Sequence, residues 1–252
     1  MSESIRKKLL RPITTPVFDV LGGLDRCLDR GMLGLVMIFV GLFLGWWLYV
    51  PVHELFHAWG CLLAGGEVTR LEIDPLYGGA ILAAWIPWVA AGSDYAGQLV
   101  GFDTYGNDWI YIVTVVAPFV LTLFPGVFLL RWCARRRSPI AWGATLPWAL
   151  APFLSLTGDA YELGSILITR VAPWASEIDA IRGDDVFLLA AEWSGATMWS
   201  GGLIACAIAV VWAFATYGLG GWLATCFGAT PLTLPAARPS NGSDANRSPD
   251  DG

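Results

Sequence analysis

Apolar residues fall along this chain in four long runs, separated by stretches in which polar and charged residues concentrate. The first, Met32 to Ala64, is almost wholly apolar; at about 1.5 Å per residue it makes roughly 50 Å of helix, more than a bilayer core of roughly 30 Å requires. Pro51 is a candidate kink, and Gly65-Gly66 a C-terminal stop. The second run, Trp109 to Trp132, is interrupted by Pro118 and Pro125-Gly126 and closes on Arg131 and Arg135 to Arg137. The third, Ile140 to Val171, holds Pro147, Pro152 and Gly158, then admits Asp159 and Glu162; the fourth covers Ala196 to Phe227.

The intervening stretches follow other periods. Thr69, Leu71 and Ile73 alternate with Arg70, Glu72 and Asp74, the period of a half-buried strand, and Gly78-Gly79 supplies a turn after it. Ala80 to Ala91 is apolar, too short to span easily and contains Pro87, which points to a hairpin arm or a re-entrant segment. Gly92 to Asp108 reads as a polar loop, and residues 172 to 195 as an acidic loop carrying a short amphipathic helix. The predicted fold is an all-α polytopic membrane protein with about four transmembrane helices and a small β hairpin or short sheet after the first.

Composition agrees. Hydrophobic residues make up 56% of the 252, charged residues 14%, and mean hydropathy is +0.58, outside the range of soluble domains. Fourteen tryptophans suit a chain with two lipid–water boundaries. Residues 1–30, with Arg6, Lys7, Lys8, Arg11, Arg26 and Arg30, are expected to form a weakly amphipathic cytoplasmic segment at the membrane surface; the first run starts too late for a cleaved signal peptide. Residues 31–227 form the membrane-embedded domain, and 228–252, rich in Pro, Ser, Asn and Asp, a disordered tail. The net charge of −6 and the absence of a basic, aromatic groove exclude nucleic acid as a partner, and the odd number of cysteines, five, indicates no disulfide framework.

Both histidines of the chain lie inside the first run, in His53-Glu54-Leu55-Phe56-His57. On a helix this spacing sets two imidazoles one turn apart on one face, able to share a zinc ion while Glu54 handles a proton. A catalytic zinc normally takes three protein ligands. Cys61 continues the face but lies about 12 Å along the axis from His53, too far for bonds near 2 Å, and reads as a packing residue. The better candidates are Asp159 and Glu162, two acids three apart with no basic residue before Arg170. Carboxylates in a membrane helix need a partner, and a bound cation would be one. Asp159 is the first choice, because Gly158 permits close backbone approach; Glu162 suits a residue that orients a ligand or water.

His53 to His57, then Ala58, Ala64-Gly65-Gly66, Val68 and the strand-like Arg70 to Asp74, resemble the site-2 protease family of intramembrane zinc metalloproteases. Val116-Ala117-Pro118 is similar to the entry of that family's central helix. The resemblance covers roughly residues 40 to 170. It implies a motif on one transmembrane helix, a short sheet after it, and an aspartate ligand from a later helix, here Asp159. It departs where the family carries Asn-x-x-Pro and Leu-Asp-Gly: the third run has no asparagine, Ser155 or Thr157 being possible substitutes, and Asp159 is followed by Ala160. The expected activity is zinc-dependent hydrolysis of peptide bonds in or near transmembrane segments of other membrane proteins. The strand at 68 to 74 or the apolar arm after it would pair with an unwound substrate. The alternatives are a non-catalytic metal-binding scaffold of the same fold and a metal-ion carrier. Charge bias puts both termini and Arg135 to Arg137 in the cytoplasm, with the acidic segments outside; the family instead turns the motif end toward the cytoplasm, so the two inferences disagree.

Overall fold

A computed structural model describes residues 3–172 and 180–233, with side chains from Pro12 onward; the predicted tail beyond residue 233 lies outside them. It contains four helical stretches long and apolar enough to cross a membrane, Met32–Leu63, Asp108–Arg135, Pro139–Val171 and Gly195–Cys226, and a small three-stranded sheet. Helix α1 (Glu3–Cys27) leads through a 3-10 turn into α2 (Met32–Leu63), which runs unbroken through Pro51 and carries the histidine pair.

After α2 the chain forms β1 (Glu67–Ile73), a short α3 (Gly79–Ala83), β2 (Val89–Ala91) and β3 (Gly97–Asp103). β1 is the middle strand, parallel to β2 and antiparallel to β3. Two expectations change. Residues 92–108 are not simply a loop, because β3 lies there; its polar alternation is weak since one face covers the site rather than a core. Nor is β1 wholly open to a substrate strand: Leu71 to Ile73 is paired on both sides, and only Glu67 to Arg70 leaves one edge free, beside the outer edges of β2 and β3. Leu55, Ala58 and Cys61 of α2 pack on Val68, Leu71 and Ile73, so the sheet lies along the C-terminal half of α2.

The second stretch divides into α4 (Asp108–Val116), an irregular passage with a 3-10 turn and a break at Phe124, and α5 (Val127–Arg135). The third divides into α6 (Pro139–Leu154) and α7 (Asp159–Val171), separated by a turn at Ser155–Gly158. Prolines free carbonyls along these helices, because a proline has no N–H for the carbonyl four residues earlier. The Trp148 carbonyl faces Pro152 in this way and accepts instead from the Thr122 hydroxyl at 2.8 Å. After α7 come α8 (Val186–Glu192), a short helix in the acidic loop as expected but with the apolar Phe187 and Leu188 on its exposed side, and α9 (Gly195–Cys226).

Small residues set the packing distances. A Cβ at Gly41 would lie 2.0 Å from the Ile140 carbonyl oxygen and one at Gly45 2.2 Å from that of Ala144, so α2 and α6 run side by side with backbones in contact, the small-xxx-small arrangement of membrane helix pairs. α1 is not loosely laid on the surface. Pro16, Asp19, Gly23 and Cys27 form a buried stripe along it, and Gly23 sits against the Trp142 indole. Asp19, fully buried, accepts from Arg131 Nε at 2.8 Å, Tyr217 Oη at 3.0 Å and the Leu232 amide at 2.8 Å. Arg131 also donates to the carbonyls of Gly221 and Ala229.

Candidate metal centre

His53, His57 and Asp159 meet where α2 and the start of α7 cross. The two Nε2 atoms are 3.2 Å apart, and the Asp159 oxygens lie 3.1 Å from His53 Nε2 and 3.4 Å from His57 Nε2. Among the described residues this is the group of His, Cys and acidic side chains that could hold a metal ion. The first two residues share a face of α2 through the four-residue spacing. The third arrives because the α6–α7 turn ends at Gly158, making Asp159 the first residue of α7, where the helix N-terminus favours a carboxylate.

The outer nitrogen of each imidazole is held. His57 Nδ1 lies 2.8 Å from the Thr114 carbonyl oxygen. A carbonyl can only accept, so Nδ1 carries the proton and Nε2 presents its lone pair to the cluster. That carbonyl is available because its helical partner would be residue 118, a proline. Gly60, one turn beyond His57, admits α4 this closely: a Cβ there would lie 2.8 Å from the Val113 carbonyl oxygen. His53 Nδ1 is 2.6 Å from the Tyr49 hydroxyl. Tyr49 sits one turn before His53 on the same face, a signal readable in the sequence and missed there; the Thr114 carbonyl, fifty-seven residues from His57, has no local signal.

Glu54 and Asp159 line a cavity of about 500 Å³ together with His57, Tyr111, Glu162 and β3, within the size range of ligand sites. Gly97 opens β3 directly over Glu54, and a Cβ there would fall 2.6 Å from Glu54 Cγ. Among the described residues nothing hydrogen-bonds the Glu54 carboxylate. Glu162 does not join the histidines; its carboxylate accepts from the Tyr111 hydroxyl at the cavity wall. Cys61 is fully buried, pointing to the Glu67 carbonyl at 3.6 Å, as expected of a packing residue. Arg182 bonds Asp108 and Thr169 and so anchors the loop that brings Asp184 to the rim, where it meets Gln98 of β3 at 3.5 Å.

No protein-family model matches the chain, and neither does any curated protein or solved structure.

Proposed function

We propose that this protein is a multi-pass membrane zinc metalloprotease, resembling the site-2 family, that hydrolyses peptide bonds in or near transmembrane segments of other membrane proteins. The observation that carries the reading is the spacing of the three candidate ligand atoms, 3.2, 3.1 and 3.4 Å. Zinc–ligand bonds of about 2.0–2.1 Å at the tetrahedral angle hold ligand atoms about 3.3 Å apart. Two neutral imidazoles and a carboxylate are a donor set typical of catalytic zinc, leaving one position for water.

A zinc ion held there supplies Lewis acidity, bringing the pKa of water toward neutrality and polarising the scissile carbonyl. The chain's own residues do the rest. Glu54 shares the cavity with Asp159, is free of other hydrogen bonds among the described residues, and takes the proton of the attacking water, then delivers it to the leaving amine. His57 is kept in the binding tautomer by Thr114, and His53 is oriented by Tyr49. An extended substrate adds to β3, the edge strand that lines the cavity. A purely structural metal site has no use for a free carboxylate beside it, which favours this reading over a scaffold.

The test is zinc content and cleavage of a transmembrane peptide by the purified chain and by Glu54→Gln. The variant should keep its zinc and lose at least about a hundredfold in rate. Undiminished proteolysis by Glu54→Gln, or wild-type chain that takes up no zinc, overturns the proposal.

A further inference from the structure

Three contacts measure how far the sheet reaches back along α2. At the start of β1 the Glu67 carbonyl faces Cys61 Sγ at 3.6 Å. At its end Ile73 pairs with Gly97, which lies against Glu54. Beyond it, in the 3-10 turn Pro75–Tyr77, the Leu76 carbonyl accepts from Trp47 Nε1 at 2.5 Å. Cys61, Glu54 and Trp47 are seven residues apart, about 10 Å per step along the helix, so the chain descends along α2 to its middle. A bilayer core of roughly 30 Å takes about 20 residues of helix. Trp47 stands halfway along the 32 residues of α2, and any stretch of that length set within α2 includes it.

The arm that follows is built for such a place. From Pro75 to Ser93 the chain carries no charged residue. Its inner side, Tyr77, Leu82, Ala83, Ile86 and Trp88, packs on the core beneath β1. Its outer side exposes Leu76 at 65%, Ile81 at 66% and Trp85 at 82%, and on the neighbouring part of α2 Phe43, Leu44 and Leu48 are exposed as well. Backbone groups in lipid must be satisfied within the protein. Here the Leu76 amide donates to the Asp74 carboxylate, and those of Tyr77, Gly78, Gly79, Ile81, Leu82, Trp85 and Ile86 donate to carbonyls between Asp74 and Leu82. The arm joins β1 to β2, on the edge of the sheet opposite β3 and the cavity. Exposed Asp94 belongs instead to the connection from β2 to β3, which reaches the cavity at Tyr95.

We infer that the arm from Pro75 to Trp88 is set into the bilayer beside α2 without crossing it, with Leu76 and Ile81 against lipid acyl chains. The inference rests on reading the four long apolar stretches as membrane spans. The arm climbs back by Trp88, whose carbonyl accepts from the Leu71 amide, so Trp85 lies nearer the lipid–water boundary, where an indole is favoured. The sheet is thereby held with one edge in lipid and the other over the metal-centre cavity.

The experiment is spin-label accessibility in phosphatidylcholine vesicles, on full-length chains in which Cys206 and Cys226 are replaced by alanine and one label is attached through Leu76→Cys, Ile81→Cys, Val211→Cys or Tyr105→Cys. Val211, exposed midway along α9, reports lipid, and Tyr105, in the turn after β3, reports water. Labels at 76 and 81 should collide with oxygen and lose collisions with a water-soluble nickel chelate, as the label at 211 does. Chelate reaching either of them as readily as it reaches position 105 overturns the inference while leaving the four spans standing. Chelate reaching position 211 that readily overturns the spans and the inference together.

Discussion

Two clusters of charged and titratable side chains lie within the helical bundle, and they differ in what they leave over. Around Arg131 and Asp19 the charges are met within the chain: Nε and Nη1 of the guanidinium meet a carboxylate and two carbonyls, and the carboxylate takes a hydroxyl and an amide in addition. Around His53, His57 and Asp159 the outer nitrogens are partnered, while both Nε2 atoms and the carboxylate converge on one point beside a cavity. The His57 Nε2 lone pair and the Asp159 oxygens are acceptors, and a cation between them would satisfy them together. Saturation marks a strut, and convergence marks a ligand site.

The contrast breaks most visibly at Arg131. Arg131→Leu leaves Asp19 buried without its countercharge and should lower stability by about 3–5 kcal/mol, measured by unfolding in detergent; Asp19→Leu with Arg131→Leu should recover most of that loss, since an apolar pair removes both charges together. An equal loss in single and double variants would deny the strut. Next in size, Asp159→Ala should weaken zinc binding by more than about a hundredfold, beyond the roughly 10–100-fold expected for a residue behind a ligand, with the metal-free unfolding midpoint nearly unchanged. Unaltered zinc affinity would remove Asp159 from the site.

Finer comparisons use one hydroxyl in each cluster. Tyr217→Phe deletes a donor to the Asp19 carboxylate and should cost about 1.5–3 kcal/mol of stability, with zinc affinity unmoved. Tyr49→Phe should do the reverse, reducing zinc affinity about tenfold by freeing the His53 ring with little change in unfolding. Identical profiles for the two tyrosine variants would erase the distinction between strut and ligand site.

How far each cluster could be read beforehand follows from the range of its contacts. The spacing of His53 and His57 is local, fixed by the helical repeat, and so visible in five residues. Asp159 was reachable through the cost of placing an acid in an apolar run. Asp19 was hidden, because the residues near it in the sequence look like a basic surface helix and its partners lie 112 and 198 residues away. Pro118 illustrates the same limit. It was noted as a likeness to a family motif, but its physical effect, freeing the Thr114 carbonyl for His57, needs α4 set against α2 at Gly60. β3 escaped notice for a related reason: a strand that covers a cavity with glycine at its head lacks the regular alternation of one that covers a core.

Local chemistry therefore settled the four long apolar stretches, the strand at β1 and the two-histidine face with its glutamate, since hydrophobic periodicity and helical spacing act within a few turns. Tertiary packing decided the rest: that Asp159 rather than Glu162 converges on the histidines, that Thr114 sets the tautomer of His57, that β3 supplies the free edge over Glu54, and that Asp19 of α1 is buried against Arg131. Each of these depends on which backbones can approach, and that is governed by glycines and proline-freed carbonyls whose partners are distant in sequence and adjacent only in the folded bundle.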